Sequence, residues 1–300
     1  MRILLLGAAG QIGAELRRRL GGLGELVTAT RSGGLPDGAA CETADFDAPE
    51  TLRPLILRTN PDVVVNAAAY TAVDRAESES QAAFRANAEA PALLAEACKA
   101  RDALFVHYST DYVFDGTGTR PYREEDPTAP LGVYGASKLA GEEAIRSSGA
   151  RHLILRTAWV YAAHGSNFLL TMLRLGRERD RLRVVADQHG SPTSAALIAR
   201  TTARILAQGV TQSGVRHLTA SGRISWHGFA EAIFAAAVAR GILEHAPVLE
   251  PIATADYPTP ARRPACSVLD NRRLQAEYAI ELPDWQDGLA RVIAELSPSR

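Results

Sequence analysis

Apolar residues along this chain come in short runs that do not alternate with polar ones: RILLL at 2–6, ELVTAT at 25–30, DVVVNAAA at 62–69, ALFVHYS at 103–109 and HLILRTAWV at 152–160. Between these runs, apolar positions recur every three or four residues. After the first run Ile12, Leu16 and Leu20 share one helix face; 49–59 and 134–148 have the same character, and 75–100 reads as an Ala/Glu/Gln-rich helix interrupted near Pro91. A strand apolar on both sides is covered on both faces. Such strands alternating with helices predict α/β architecture, a doubly wound (Rossmann) parallel sheet. Beyond about residue 165 the alternation weakens, and proline density rises over 245–264. The expected organisation is a dinucleotide-binding domain over 1–160, which a segment near 187–222 can rejoin, and a smaller C-terminal substrate domain over 161–300 that closes on the helical WQDGLARVIAEL.

Composition narrows the partners. With 300 residues and 46% hydrophobic content the chain can bury a substantial core. Its formal net charge of −1 lacks the basic excess of a nucleic-acid binder. Cys41, Cys98 and Cys266 are odd in number and far apart, without a CxxC or Cys/His cluster, so neither a disulfide framework nor a zinc site is expected. The N-terminal apolar run is too short for a signal-peptide core, and no stretch approaches the ~20 apolar residues of a membrane span. A soluble, cytoplasmic protein with no membrane partner is the expectation.

Chemistry enters at the first turn. Gly7, Gly10 and Gly13 follow the first strand and open the first helix as GxxGxxG. Gly7 permits a sharp turn, Gly10 lets backbone approach a pyrophosphate, and Gly13 lets the helix pack closely, the mechanism shared by dinucleotide-binding turns. An ordinary βα turn is the competing reading. The second strand ends on Thr30 and Arg31 with no acid before Asp37. An acid there would bond a ribose 2′-hydroxyl, whereas Arg31 suits a 2′-phosphate, so NADPH is favoured, with NADH open and a solvated arginine as the alternative.

Of the 33 basic residues only Lys99 and Lys138 are lysines, and Lys138 stands four places after Tyr134 in YGASK. Chance gives such a pair in roughly 5% of chains of this composition. On a helix the two share a face, and an ammonium beside a phenol is expected to lower the phenol's pKa toward neutrality. Upstream, Ser109, Thr110 and Asp111 in HYSTDYVFDG end the fourth long apolar run, at the sheet edge where ligands bind.

With GxxGxxG, NAAAYTAVDRAE, HYSTDYVFDG and YGASKLAGE in this order, the chain resembles the extended short-chain dehydrogenase/reductases. RTAWVYAAHGSNF, VVADQHGSPTSA and DYPTPARRPACSVLD make it similar, nearly end to end, to the dTDP-4-dehydrorhamnose reductase family within them. The resemblance implies an oxidoreductase in dTDP-rhamnose and polysaccharide biosynthesis that acts on a nucleotide sugar. It makes Tyr134 the proton donor, Lys138 its partner and ribose anchor, and Thr110 the third catalytic group. Cofactor contacts would fall on Gly10, Gln11, Ile12, Asp45, Phe46, Ala69, Tyr70, Thr71 and Tyr108, beside Gly7, Gly13, Thr30 and Arg31. Substrate contacts would fall on Thr110, Asp111 and Trp159, with Asn167, Arg262 and Arg263 toward the nucleotide end. Glu15 and Glu295 match two carboxylates of a Mg²⁺-linked dimer, but Ala196 stands at the third. That speaks against Mg²⁺ and leaves a monomer or weak homodimer. Another nucleotide-sugar reductase or epimerase and a noncatalytic NADP-binding regulatory subunit are the alternatives. A dehydratase is disfavoured because Tyr112 replaces the acid after Thr-Asp.

Overall fold

A computed structural model describes residues 1–297. Seven parallel strands form its central sheet: β1 (Arg2–Leu6), β2 (Glu25–Thr30), β3 (Glu42–Thr43), β4 (Val63–Asn66), β5 (Leu104–Thr110), β6 (His152–Thr157) and β7 (Gly214–His217), in the order β7-β6-β5-β4-β1-β2-β3. The absence of alternation has a direct structural cause. Ile3, Leu5, Val63 and Val65 face one core cluster while Leu4, Leu6 and Val64 face the other. Each such side chain taken wholly out of water contributes roughly 1.5–3 kcal/mol, which no one-sided strand could match residue for residue.

The crossover helices are α1 (Gln11–Leu20), α2 (Leu52–Thr59), α3 (Ala90–Lys99) and α4 (Val133–Ser148). In α1, Leu16 and Leu20 are wholly buried and Ile12 is half-buried. The interruption expected near Pro91 lies earlier, at a π-helical turn over Arg85–Glu89. Pro91 itself sits in the first turn of α3, directly after that turn, where it has no N–H to bond back to the π turn. The run 152–160 is also not one strand. It breaks after Thr157, Trp159 takes φ +48°, and Val160–Tyr161 pairs with Thr193–Ser194 instead.

Past residue 165 the chain contributes helices Phe168–Glu178, Ala195–Gln208, Trp226–Ala239, Arg272–Tyr278 and Trp285–Leu296, with short two-stranded sheets. It returns once to the central sheet, as β7 beside β6. One apolar cluster runs from Ile3 and Leu5 through Phe229 to Trp285 and Ile293, so both halves share a core. Among the described residues no helix is long and apolar enough to cross a membrane. The sheet order reverses between β1 and β4, and the crevice beyond their C-terminal ends is where an open α/β sheet binds ligands.

Candidate active site

Gly7 turns off β1 at φ +73°, and a Cβ on it would come within 2.6 Å of the Ala68 backbone nitrogen. A Cβ at Gly13 would lie 2.0 Å from the Gly7 carbonyl oxygen, so α1 is clamped onto its own turn. Gly10 is different. It is exposed, and a Cβ there would meet only the Gly7 oxygen, at 3.4 Å. No side chain caps α1, which leaves the first-turn N–H groups at Gln11 and Ile12 for an anion. This open, uncapped cradle fits a dinucleotide pyrophosphate.

Toward the adenine end the expected residues divide. Thr30 is buried, and its hydroxyl donates to the Gly34 carbonyl at 3.0 Å. Arg31 is exposed but lies 3.6 Å from Asp45 and 3.1 Å from Asp47, so a 2′-phosphate would compete with two carboxylates. Phe46 is packed in the core beneath. In the loop of Ala69, Tyr70 and Thr71, the Tyr70 hydroxyl donates to Glu79 at 2.7 Å. The Tyr108 side chain is packed in the core, its hydroxyl paired with Thr202 at 2.8 Å, while its carbonyl accepts from Lys138.

Thr110 ends β5, and Tyr134 stands beside it in the first turn of α4. Burial raises the Tyr134 pKa to about 12, with the neighbouring Thr110 hydroxyl opposing and the Asp111 carboxyl helping. This reverses the expectation that Lys138 acidifies the phenol. Lys138 Nζ is turned into the protein, donating to the Tyr108 carbonyl at 2.6 Å and lying 3.1 Å from His107 Nε2. Burial lowers its own pKa to about 8, with the Glu142 carboxylate opposing. Asp111 is buried beside them. It accepts the Thr110 hydroxyl at 3.0 Å on Oδ1, has no partner on Oδ2, and is pushed up to about 6 by desolvation.

On the second-half side, Trp159 stacks flat on Trp226, ring centroids 3.4 Å apart and 2° from parallel, and Gly190 packs against its face because a Cβ would touch the ring. Asn167 caps the helix Phe168–Glu178, accepting from the Leu170 N–H, and donates to Gln11, Ala162 and His164 oxygens. It is a tie between the halves rather than a free substrate contact. Arg263 is likewise engaged, bound through two nitrogens to Asp74 at 2.8 and 3.0 Å; Arg262 is exposed. Arg18 lies between Glu15 (2.8 Å) and Glu295 (3.6 Å), with Ala196 in the helix Ala195–Gln208. Among the described residues no group of three or more His, Cys, Asp and Glu is placed to hold a metal.

A family model described as the RmlD substrate binding domain matches residues 1–297. A dTDP-4-dehydrorhamnose reductase from Burkholderia thailandensis is 50% identical over 307 residues, covering 99% of each chain. The chain belongs to the dTDP-4-dehydrorhamnose reductase family. Among solved structures, a reductase of that name from Clostridium acetobutylicum superposes with TM-score 0.89 at 35% identity over 99% of each chain. One from Bacillus anthracis in complex with NADP gives 0.88 at 32% identity, over 98% of this chain and 99% of the other.

Several groups that shape this family member's site went unnoticed in the sequence. Asn87, wholly buried in the π turn, bonds both the N–H and the carbonyl of Tyr70 and the Ser137 hydroxyl, and so anchors a crevice loop to α4. Glu142 and Arg156 form a buried two-point pair at 2.7 and 2.9 Å behind Ser109. The visible signal was charge at positions that the helix and strand patterns assign to the interior. Trp226 gave no signal, since only folding brings it against Trp159.

Proposed function

We propose that this chain reduces the 4-oxo group of dTDP-4-dehydro-β-L-rhamnose with NADPH to give dTDP-L-rhamnose, the last step of dTDP-rhamnose biosynthesis. The observation that carries the reading is the Thr110–Tyr134 hydroxyl pair at the C-terminal sheet edge, beside the uncapped glycine turn. Membership of the reductase family selects the reaction within the superfamily. NADPH, seated on the turn of Gly7, Gly10 and Gly13 with Gln11 and Ile12, would supply the hydride; the missing acid after β2 and the NADP held by the Bacillus anthracis relative support it over NADH.

This chain's residues do the rest. Thr110 and Tyr134 hold the oxo oxygen, and Tyr134 gives it a proton. A phenol held near 12 keeps its proton at neutral pH, so it is loaded for the reducing direction. The unpartnered Asp111 oxygen suits a sugar hydroxyl, Trp159 walls the sugar, and exposed Arg262 suits the diphosphate. Residues 1–160 would hold the cofactor while the second half covers the sugar nucleotide. The working unit is a monomer or weak homodimer, in a cytoplasm that suits three free cysteines.

The test is NADPH oxidation, stoichiometric with product, for a panel of 4-oxo sugar nucleotides. Tyr134→Phe is expected to cut kcat by ~10²–10⁴-fold while NADPH still binds. Full activity in that variant overturns the assignment. A wild-type chain that binds NADPH and oxidises none with any of these substrates would instead be a noncatalytic NADP-binding subunit.

A further inference from the structure

Beneath the proposed proton donor, a buried hydrogen-bond chain runs from the turn after β4 to Lys138. The Ala68 N–H donates to Asn66 Oδ1 at 3.0 Å, which settles the orientation of that amide. Its nitrogen therefore faces His107 Nδ1, at 3.1 Å. An amide nitrogen only donates, so Nδ1 accepts, and the one hydrogen of a neutral imidazole is on Nε2. His107 is wholly enclosed, and burial together with the Lys138 charge drives its pKa well below the ordinary value, so the ring is neutral. Nε2 in turn lies 3.1 Å from Lys138 Nζ. While Lys138 is an ammonium, two donors face each other across that contact. When Nζ loses a proton its lone pair accepts from Nε2, and every member from Ala68 to the Tyr108 carbonyl is satisfied.

We propose that Asn66 and His107 are positioning residues for the reduction: they hold a donor against Lys138 Nζ and so set the pH at which the ammonium one helical turn from Tyr134 is lost. This rests on the reductase reading. As the sugar C4 receives hydride, the Tyr134 O–H bond breaks and the sugar O–H bond forms. A proton drawn from solvent then restores the Tyr134 O–H, while Lys138 keeps its ammonium below its own midpoint. The groups around Lys138 are Tyr134 and Glu142 on its own helix, His107, Ser109 and Thr110 on β5, Asn66 on β4, Asp111 just past β5 and Arg156 on β6. Glu142 is the one that favours the ammonium, and it is already engaged by Arg156 and Ser109.

The chain contains two lysines, so ¹³C-lysine labelling yields two side-chain signals, which Lys99→Arg assigns. These are titrated in the unliganded protein while ¹⁵N spectra report the His107 tautomer. Expected are hydrogen on Nε2 and a Lys138 midpoint at least one pH unit below the ordinary ~10.4 of lysine. Asn66→Ala releases the ring to carry its hydrogen on Nδ1, which should raise the Lys138 midpoint by about one pH unit and move the alkaline limb of kcat with it, while KM for the sugar nucleotide holds. Hydrogen on Nδ1 in the wild type, or a Lys138 midpoint unmoved in Asn66→Ala, overturns the proposal. If Asn66→Ala fails to fold, the wild-type tautomer decides alone. The expected tautomer and titration in a protein that oxidises no NADPH would overturn the reductase reading and the positioning role with it; the other tautomer in an active enzyme would overturn the positioning role alone.

Discussion

Thr110, Tyr134 and Lys138 stand on a strand end and the first turns of a helix, whereas Trp159, Trp226 and Arg262 stand on loops and a helix start of the second half. On the sheet side, position comes from backbone ladders, and polar groups behind the site lock it: His107, Asn66, Glu142, Arg156 and Asn87 are all buried and bonded. On the other side, position comes from ring stacking, and the Trp159 backbone is held at a positive φ that a bulky residue adopts only under constraint. A scaffold built the first way holds proton-transfer groups in fixed positions relative to one another. One built the second way can be re-aimed by a few substitutions.

That contrast can be tested by removing what holds each side. The largest effect is expected for Glu142→Gln, which leaves Arg156 charged and uncompensated in the interior. The loss should be about 3–5 kcal/mol in urea unfolding, and a loss under ~1 kcal/mol would mean the sheet side is not locked by this pair. Asp111→Asn should act the other way. Its folded pKa, about 6, lies above the ordinary 3.8, so the stability it contributes is complete below pH 4 and is lost as pH rises through 6. The amide removes that loss, and stability at pH 7 should rise by on the order of 2–3 kcal/mol while activity falls. Unfolding curves at pH 4 and 7 check the sign, and a gain equal at both would refute a titrating carboxyl. The smallest effect belongs to Trp226→Ala, which removes a stacked partner worth ~0.5–1.5 kcal/mol beyond burial. It should raise KM for the sugar nucleotide several-fold with KM for NADPH unchanged. Equal effects on both would put Trp226 outside the substrate wall.

The strands and the glycine turn were legible because their causes are local. Unbroken apolar runs report two covered faces, and the spacing of Gly7, Gly10 and Gly13 reports a turn that must admit backbone where a Cβ would collide. The helix starts beside Tyr134 and at Trp285 were legible for the same reason. Polar commitments were not. Asn167 looked like a substrate ligand and is a helix cap; Arg263 looked like a diphosphate ligand and is bound to Asp74. The effect of Lys138 on the phenol was misjudged because the ammonium turns inward, toward His107 and the Tyr108 carbonyl.

By itself, then, the amino-acid order determined the doubly wound sheet, the dinucleotide turn, and the presence of a hydroxyl, a phenol and an amine at its edge. These follow from periodicity and from backbone sterics within a few residues. Only the tertiary structure decided which polar groups were spent on one another. A guanidinium or amide takes whatever partner folding brings across the crevice, and that partner can be far away in the chain, as Asp74 is from Arg263 at a separation of 189 residues.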